Sequence, residues 1–441
     1  MTLWLGLLVT VSLSDRTAVA ANRCARYQGL MVRSLRFKGM KRTSAARLSQ
    51  VFDTKEGARF DCETFVEDMR RLRNLELFQN IRVRFSPGRD GLAITVHVED
   101  KWSLLPYFNF IRGGGSYEIV AGLFDVNVLG RLFTLDAMFI LFDGKPAGTV
   151  YFTLPRLAGL PVTLAANGGL SRAIRTTYGQ RRAIRRIYGI TSEWGEFLVR
   201  WEPVVWARIG MAYRFQHRTF EFMKGSPNKD VLPSNGRLSR ASVLLSLGKV
   251  SYRHYFMQGL MLNVWLSTSR PWLGSTESFW KVAWDARGYW NMGRNVGNLA
   301  GWLQGGILSG RSTFLDEFQL GSFTGLRGFR YAQFLGKNYV AAVGEYRSPL
   351  WATEFPIMGR IHWVFRGKSL LVQGVAFGAL GAVSGSENQA TEESGRLLSS
   401  VGAGARFILL PFYRAILRID AAVTLSPYVT WDIMVATQQA F

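Results

Sequence analysis

The spacing of hydrophobic and polar positions changes twice along the chain. Near the start, residues 3–13 (LWLGLLVTVSL) form one short apolar run, well under the ~20 residues of a membrane helix. Ala18-Val19-Ala20 follows with small residues at the −3 and −1 positions of a cleavage site before Ala21. This predicts a secretory signal peptide over residues 1–20. No Lys or Arg precedes the apolar core, so a misplaced start or a short anchor stays open beside cleavage.

Residues 30–101 mix two periods. Val32-Arg33-Ser34-Leu35-Arg36-Phe37 alternates and runs into Gly39, which reads as a strand closed by a turn. Thr43 or Ser44 caps a helix with Leu48, Val51 and Phe52 on one stripe, ended by Gly57. Asp61 caps a second helix, CETFVEDMRRLRNLELF, with Phe65, Met69, Leu72 and Leu75 on a single face. Ile81 to Phe85 alternates again, Pro87 to Gly91 makes a turn, and Leu92 to Val98 returns with every second residue apolar. The predicted order is β-α-α-β-β.

From Trp102 onward helical periodicity is lost. Segments of about ten residues of alternating or mixed polarity recur between Gly, Asn, Asp, Ser and Pro, as at 118–127, 132–140, 147–155, 258–268, 338–347, 400–409 and 414–425. In the last of these, Leu417, Ile419, Ala421 and Val423 alternate with Arg418, Asp420 and Thr424. Lipid on one face and water on the other produces that pattern. At about 21 residues per strand and turn, residues 102–441 predict a transmembrane β-barrel of about 16 antiparallel strands behind the small α+β domain of 30–101.

Composition sharpens this picture. Mean hydropathy is only +0.05, yet 13% of residues are aromatic and 14 are Trp, which suits interfacial girdles better than membrane helices. The formal net charge is +23. Its Arg residues are dispersed rather than gathered in a patch, which argues against nucleic acid as partner and for a wet lumen or anionic lipid headgroups at the rims. Cys24 and Cys62 can pair or remain free thiols. The four histidines, His97, His217, His254 and His362, stand far apart and show no metal spacing, so no metal or cofactor is expected. The sequence has no GxSxG, HExxH or phosphate-binding loop. A hydrolase or acyltransferase barrel is therefore the weakest reading, and a non-enzymatic protein is expected.

The run Phe37-Lys38-Gly39, Gly57-x-x-Phe60-Asp61, Leu72-x-Asn74-x-x-x-Phe78 and the closing Val98-Glu99 resembles a polypeptide-transport-associated (POTRA) domain, with Gly39, Gly57, Leu72 and Phe78 as its structural positions. In the stretch 310–350, Leu326-Arg327-Gly328-Phe329 resembles the VRGF/Y motif of the BamA/TamA superfamily of outer-membrane barrels, preceded by Gly321 and followed by Glu345-Tyr346-Arg347-Ser348-Pro349-Leu350. Gly402-x-Gly404-x-Arg406 and Arg418-Ile419-Asp420 agree with that family's final strands, and the terminal Phe441 looks like its assembly signal.

The resemblance implies a bacterial outer-membrane location with the POTRA domain in the periplasm, where an open sheet edge adds a strand from an unfolded chain. It also implies that the loop holding Arg327 folds into the lumen and docks on the wall. The wall strand of the family usually reads F-x-D-x-G, but Phe377-Gly378-Ala379-Leu380-Gly381 has Ala379 in place of the Asp. Glu345 and Asp420 are the candidate partners of Arg327. The expected role is insertion or translocation of unfolded or nascent outer-membrane or secreted polypeptides, in contact with lipids including lipopolysaccharide and with accessory periplasmic proteins as candidate partners. Alternatives are a transporter dedicated to one secreted partner, or a lipid-handling barrel. A basic run at Arg172–Arg175 and Arg182–Arg186 is read as a hairpin tip, either a lipopolysaccharide contact or a solvated loop.

Overall fold

The computed structural model describes residues 24–75, 77–178, 183–225, 235–253, 256–293, 296–354, 369–386, 395–410 and 416–437. The expected leader at 1–20, Arg182 of the basic run, His254, His362 and Phe441 lie outside these residues.

The N-terminal unit is a three-stranded sheet of β1 (Val32–Lys38), β2 (Phe78–Gly88) and β3 (Gly91–Asp100) with helices α1 (Ala45–Val51) and α2 (Cys62–Asn74). The strand order is β1-β3-β2, with β1 parallel and β2 antiparallel to β3. Leu48, Phe52, Phe60, Leu72, Leu92 and Ile94 fill its core, and Phe78 is buried beside them at the head of β2. Cys24 is disulfide-bonded to Cys62, with Cα atoms 5.5 Å apart.

Two helix ends differ from expectation. Helix α1 stops at Val51 and not at Gly57, because the buried Asp68 carboxylate accepts the N–H groups of Asp53 (2.7 Å) and Thr54 (2.8 Å) and draws the chain out of the helix. Gly57, at φ +80°, instead turns the chain back and donates its N–H to the Val32 carbonyl (2.8 Å). Helix α2 stops at Asn74, not Phe78, since the Leu77 carbonyl accepts the Lys101 N–H (2.7 Å) and starts the pairing of β2 with β3.

The remaining strands close into an antiparallel barrel. Its first wall comprises β4 (Leu104–Gly113), β5 (Ser116–Val128), β6 (Phe133–Phe142), β7 (Lys145–Leu154), β8 (Val162–Tyr178) and β9 (Ile184–Val204). Next come β10 (Ala207–Gly225), β11 (Gly236–Arg253), β12 (Phe256–Ser269), β13 (Ser278–Gly293) and β14 (Gly297–Arg311). A long loop carries the short strands β15 (Phe318–Leu320) and β16 (Phe334–Gly336). The wall then resumes with β17 (Asn338–Glu354), β18 (Ser369–Ser384), β19 (Leu398–Leu410), β20 (Ile416–Ser426) and β21 (Thr430–Ala436), which closes on β4. The closed sheet has the 16 strands expected. Along β20, Ile416, Arg418, Asp420, Ala422 and Thr424 face inward, while Leu417, Ile419 and Val423 face out. Trp201, Trp206, Trp280, Trp290, Trp351 and Trp431 are exposed on the barrel. Among the described residues no helix is long and apolar enough to cross a membrane.

The small domain is bolted to the strand turns beneath it. The Ser44 N–H donates to the Gly130 carbonyl (2.8 Å), the Asn127 amide to the Thr43 hydroxyl (2.8 Å), and Arg156 to Asp53 (2.5 Å). Gly130, at φ +70°, lets the backbones approach so closely that a Cβ there would lie 1.9 Å from the Arg42 carbonyl oxygen. Leu132, from the same barrel turn, is buried in the core of the small domain.

Candidate functional site: a lumen loop and the barrel seam

A loop of this length rich in Gly and aromatic residues needs partners for its backbone, and residues 312–337 find them inside the lumen. The β15–β16 pair stiffens the loop. On one side it reaches the wall of β8 to β10. There Phe314 packs on Tyr188 (centroids 5.2 Å), Arg175 donates to the Gln319 side chain (2.8 Å), and Arg218 donates twice to the Asp316 carboxylate (2.9 and 3.1 Å). Lys281 on β13 donates to the Asp316 carbonyl (2.5 Å). On the other side the loop reaches β17 to β21, so it crosses the barrel.

Arg327 sits at that second contact, almost wholly buried. One end of its guanidinium pairs with Glu345 on β17 (2.6 Å) and the other with Asp420 on β20 (3.2 Å). Its Cζ lies 3.9 Å from the centroid of the Phe377 ring on β18. A planar fork can hold two carboxylates and stack at once, which an ammonium cannot. The two acids are shared further: Glu345 with Arg347 (2.7 Å) and Arg406 (3.3 Å), Asp420 with Arg406 (2.5 Å) and Arg418 (3.4 Å). Four guanidiniums thus meet two buried carboxylates. Gly328, at φ +94°, lets the loop lie on β20, where a Cβ would come 3.0 Å from Thr424 Cγ2. Phe329 is fully buried, edge-on to Phe334 (5.2 Å) and near Tyr428 (6.4 Å). Leu326 is buried in one apolar cluster with Ala379.

The substitution at Ala379 therefore has a local explanation. Glu345 is directly opposite Phe377 across the β17–β18 pair, two residues along from Ala379. The carboxylate comes from the neighbouring strand, and the Ala379 site is given to apolar packing. Two glycines of β19 make the room: a Cβ at Gly402 would lie 2.4 Å from the Phe377 ring, and one at Gly404 2.2 Å from Asp420 Oδ1.

The loop tip stands over the seam between β21 and β4. Among the described residues this ladder registers only at Val435 with Arg112 and Ala436 with Ile111, continued by the Thr437 N–H donating to the Phe110 carbonyl (2.8 Å). The opposite edge of β21 pairs with β20 all the way from Ala436 to Thr430. Among the described residues the wall is also lowest here, with 7 residues in β21 against 21 in β9. Beyond the short ladder, side chains and loop take over. The Gly114 N–H donates to Asp432 (2.6 Å), the Tyr331 N–H to the Gly114 carbonyl (3.0 Å), and the Thr430 hydroxyl to the Gly328 carbonyl (3.3 Å). Residues 328–331 thus touch both sides of the seam.

Sequence reasoning missed the Asp316–Arg218 anchor and the roles of Arg347, Arg406 and Arg418. Inward-facing arginines on polar positions of alternating strands were the available signal for the latter. The basic run also divides differently from expectation. Arg172 and Arg175 lie within β8 and Arg186 within β9, flanking the β8–β9 turn; Arg172 is exposed, Arg175 turns inward to Gln319, and Arg182 lies outside the described residues. His97 and His217 are exposed strand residues. Among the described residues no cluster of His, Cys, Asp and Glu could hold a metal ion.

Residues 226–430 match the Omp85 superfamily domain, and residues 30–101 match POTRA, the surface antigen variable number repeat. This chain is an Omp85 superfamily barrel with one POTRA domain. The barrel lies in the bacterial outer membrane, with its POTRA domain on the periplasmic side. Similar solved structures include BamA from Haemophilus ducreyi lacking POTRA domains 1–3 (TM-score 0.66, 15% identity, covering 93% of this chain and 85% of that one). CdiB from Escherichia coli gives a TM-score of 0.67 at 15% identity, covering 93% and 77%. CdiB from Acinetobacter baumannii gives 0.64 at 12%, covering 93% and 74%. At such identities the likeness is one of fold. No curated protein matches the chain.

Proposed function

We propose that this Omp85 barrel is a non-enzymatic inserter of polypeptides into the outer membrane, with the β21–β4 seam as the gate and the Arg327 loop as its latch. An unfolded chain is captured as an added strand on the open β1 edge of the POTRA domain and delivered to the seam, where the backbone edge of β4 accepts it once the short ladder parts. The observation that carries this reading is the seam itself: among the described residues it has a two-position ladder on the lowest wall, and loop residues 328–331 bridge it. The fold it shares with BamA and CdiB supports handling of polypeptides. Insertion is favoured over passage through the pore because the loop crosses the lumen from β8–β10 to β20. Arg327 acts by positioning, with Glu345 and Asp420 as its receptors.

The test is a seam that can be locked. A Cβ on Gly113 would lie 3.1 Å from the Met434 Cβ, near the ~3.8 Å of a disulfide. The doubly substituted Gly113→Cys, Met434→Cys protein in liposomes is offered a urea-unfolded eight-stranded outer-membrane barrel. Oxidation is expected to abolish the acceleration of its folding, and reduction to restore it. Equal acceleration with the seam locked would defeat the gate.

A further inference from the structure

The open edge of the POTRA sheet is already partly occupied by the chain itself. Residues 57–60 run antiparallel to residues 29–32: the Val32 N–H donates to the Ala58 carbonyl (2.9 Å), the Gly57 N–H to the Val32 carbonyl (2.8 Å), and the Phe60 N–H to the Leu30 carbonyl (2.7 Å). The chain then leaves the edge at Lys55. In the next place along β1, the Glu56 carboxylate accepts the Leu35 N–H (2.7 Å). Glu56 stands where the carbonyl of a longer strand would stand.

Alternate residues of a strand turn their backbone groups to the same side. Phe37 therefore presents its N–H and C=O to the same edge as Leu35, beyond the reach of Glu56. These groups border a groove of about 550 Å³ between β1 and α1, lined by Leu35, Phe37, Ala45, Ser49 and Lys55. Arg36 and Lys38 also border it. Arg36, Lys38 and Lys55 are exposed, and among the described residues none of the three is in an ion pair. The groove thus joins apolar walls, a strand edge at Phe37 with no further partner among the described residues, and three cations against the single carboxylate of Glu56.

We infer that Glu56 is a self-cap on the capture edge, and that the groove takes an extended polypeptide segment bearing a carboxylate beside an apolar side chain. The guest continues the antiparallel course of residues 57–60 along Leu35 to Phe37 and displaces the Glu56 carboxylate. Its own carboxylate then meets Arg36, Lys38 and Lys55. Electrostatic complementarity of this kind governs which segments are accepted more than how tightly any is held, and the cap keeps the edge from pairing with unsuited strands. This inference rests on the edge-capture reading above and adds the chemical class of the guest and a competitor for its place.

The test uses the full-length protein in detergent micelles and three fluorescent eight-residue peptides of alternating Val and Thr. The central polar position is Glu in one, Gln in the second and Lys in the third. Glu56→Ala is expected to tighten binding of the Glu peptide about tenfold, in the range of one hydrogen bond to a charged group. Glu56→Gln, which keeps an acceptor for Leu35, should tighten it less. The Glu peptide should bind more tightly than the Lys peptide, and Lys38→Glu with Lys55→Glu should reverse that order. Binding unchanged by Glu56→Ala, or equal affinity for all three peptides, overturns the inference while leaving edge capture standing. If no peptide binds either the parent or Glu56→Ala, edge capture itself falls.

Discussion

Removing Arg327 and removing Glu345 should release the lumen loop to different degrees, because they leave different charges behind. Arg327→Ala deletes the contacts to Glu345 (2.6 Å) and Asp420 (3.2 Å) and the stacking on Phe377. Glu345 keeps Arg347 and Arg406, and Asp420 keeps Arg406 and Arg418, so neither carboxylate is stranded. The loss is then that of one or two charge-assisted bonds, about 2–3 kcal/mol, or roughly 30- to 150-fold in the docked-to-free ratio. Glu345→Ala instead leaves Asp420 alone among four guanidiniums. Breaking a buried pair from that side costs about 3–5 kcal/mol. A Ser322→Cys reporter in the buried loop measures both, since maleimide labels only the open state and its rate follows the open population. Labelling should quicken at least about 30-fold in Arg327→Ala and further in Glu345→Ala, with the barrel still heat-modifiable on a gel. Labelling of Arg327→Ala as slow as the parent, or no faster in Glu345→Ala than in Arg327→Ala, would refute this electrostatic account of the latch.

Further outcomes follow from the same geometry. Gly404→Ala places a Cβ 2.2 Å from Asp420 Oδ1 and should free the reporter much as Arg327→Ala does, whereas Gly378→Ala, with nothing within 4 Å, should not. In the POTRA domain, burial opposes ionisation of Asp100, but bonds from the Thr43 hydroxyl and the Arg42 and Lys41 N–H groups outweigh it and hold the carboxyl below its usual range. Asp61 is lowered to about 2, chiefly by the Thr64 hydroxyl and then by Gln28. Groups depressed in this way stabilise the fold above their unfolded values near 4 and lose that contribution as pH falls through the folded ones. Thermal stability of the POTRA domain should hold from neutral pH to about 5 and drop between about 4 and 2; a profile that Asp100→Asn leaves unaltered would contradict the assignment.

The barrel was legible because lipid and lumen impose opposite demands on neighbouring residues, and β20 records them from Leu417 to Thr424 without interruption. The loop was legible as an excess of Gly and aromatics where a hairpin would be short and polar. Helix ends were less so: α1 is stopped where Asp68, on another helix, captures the N–H of Asp53 15 residues before it, and no local signal marks that capture. Asp316 and Arg218 are 98 residues apart, and only the closure of the barrel brings them together. Ala379 reads as a broken motif in one dimension. In three it is an apolar site beneath Leu326, and Arg327 meets its carboxylates on β17 and β20, with Glu345 opposite Phe377.

The gate is tested most directly by asking where a polypeptide in transit touches the barrel. A photocrosslinking residue at Ile433, on the outer face beside the seam, is compared in living cells with one at Leu266 on the outer face of β12; both side chains are exposed. The account predicts polypeptide adducts at Ile433 and none at Leu266. Adducts at neither position, or equally at both, would contradict it.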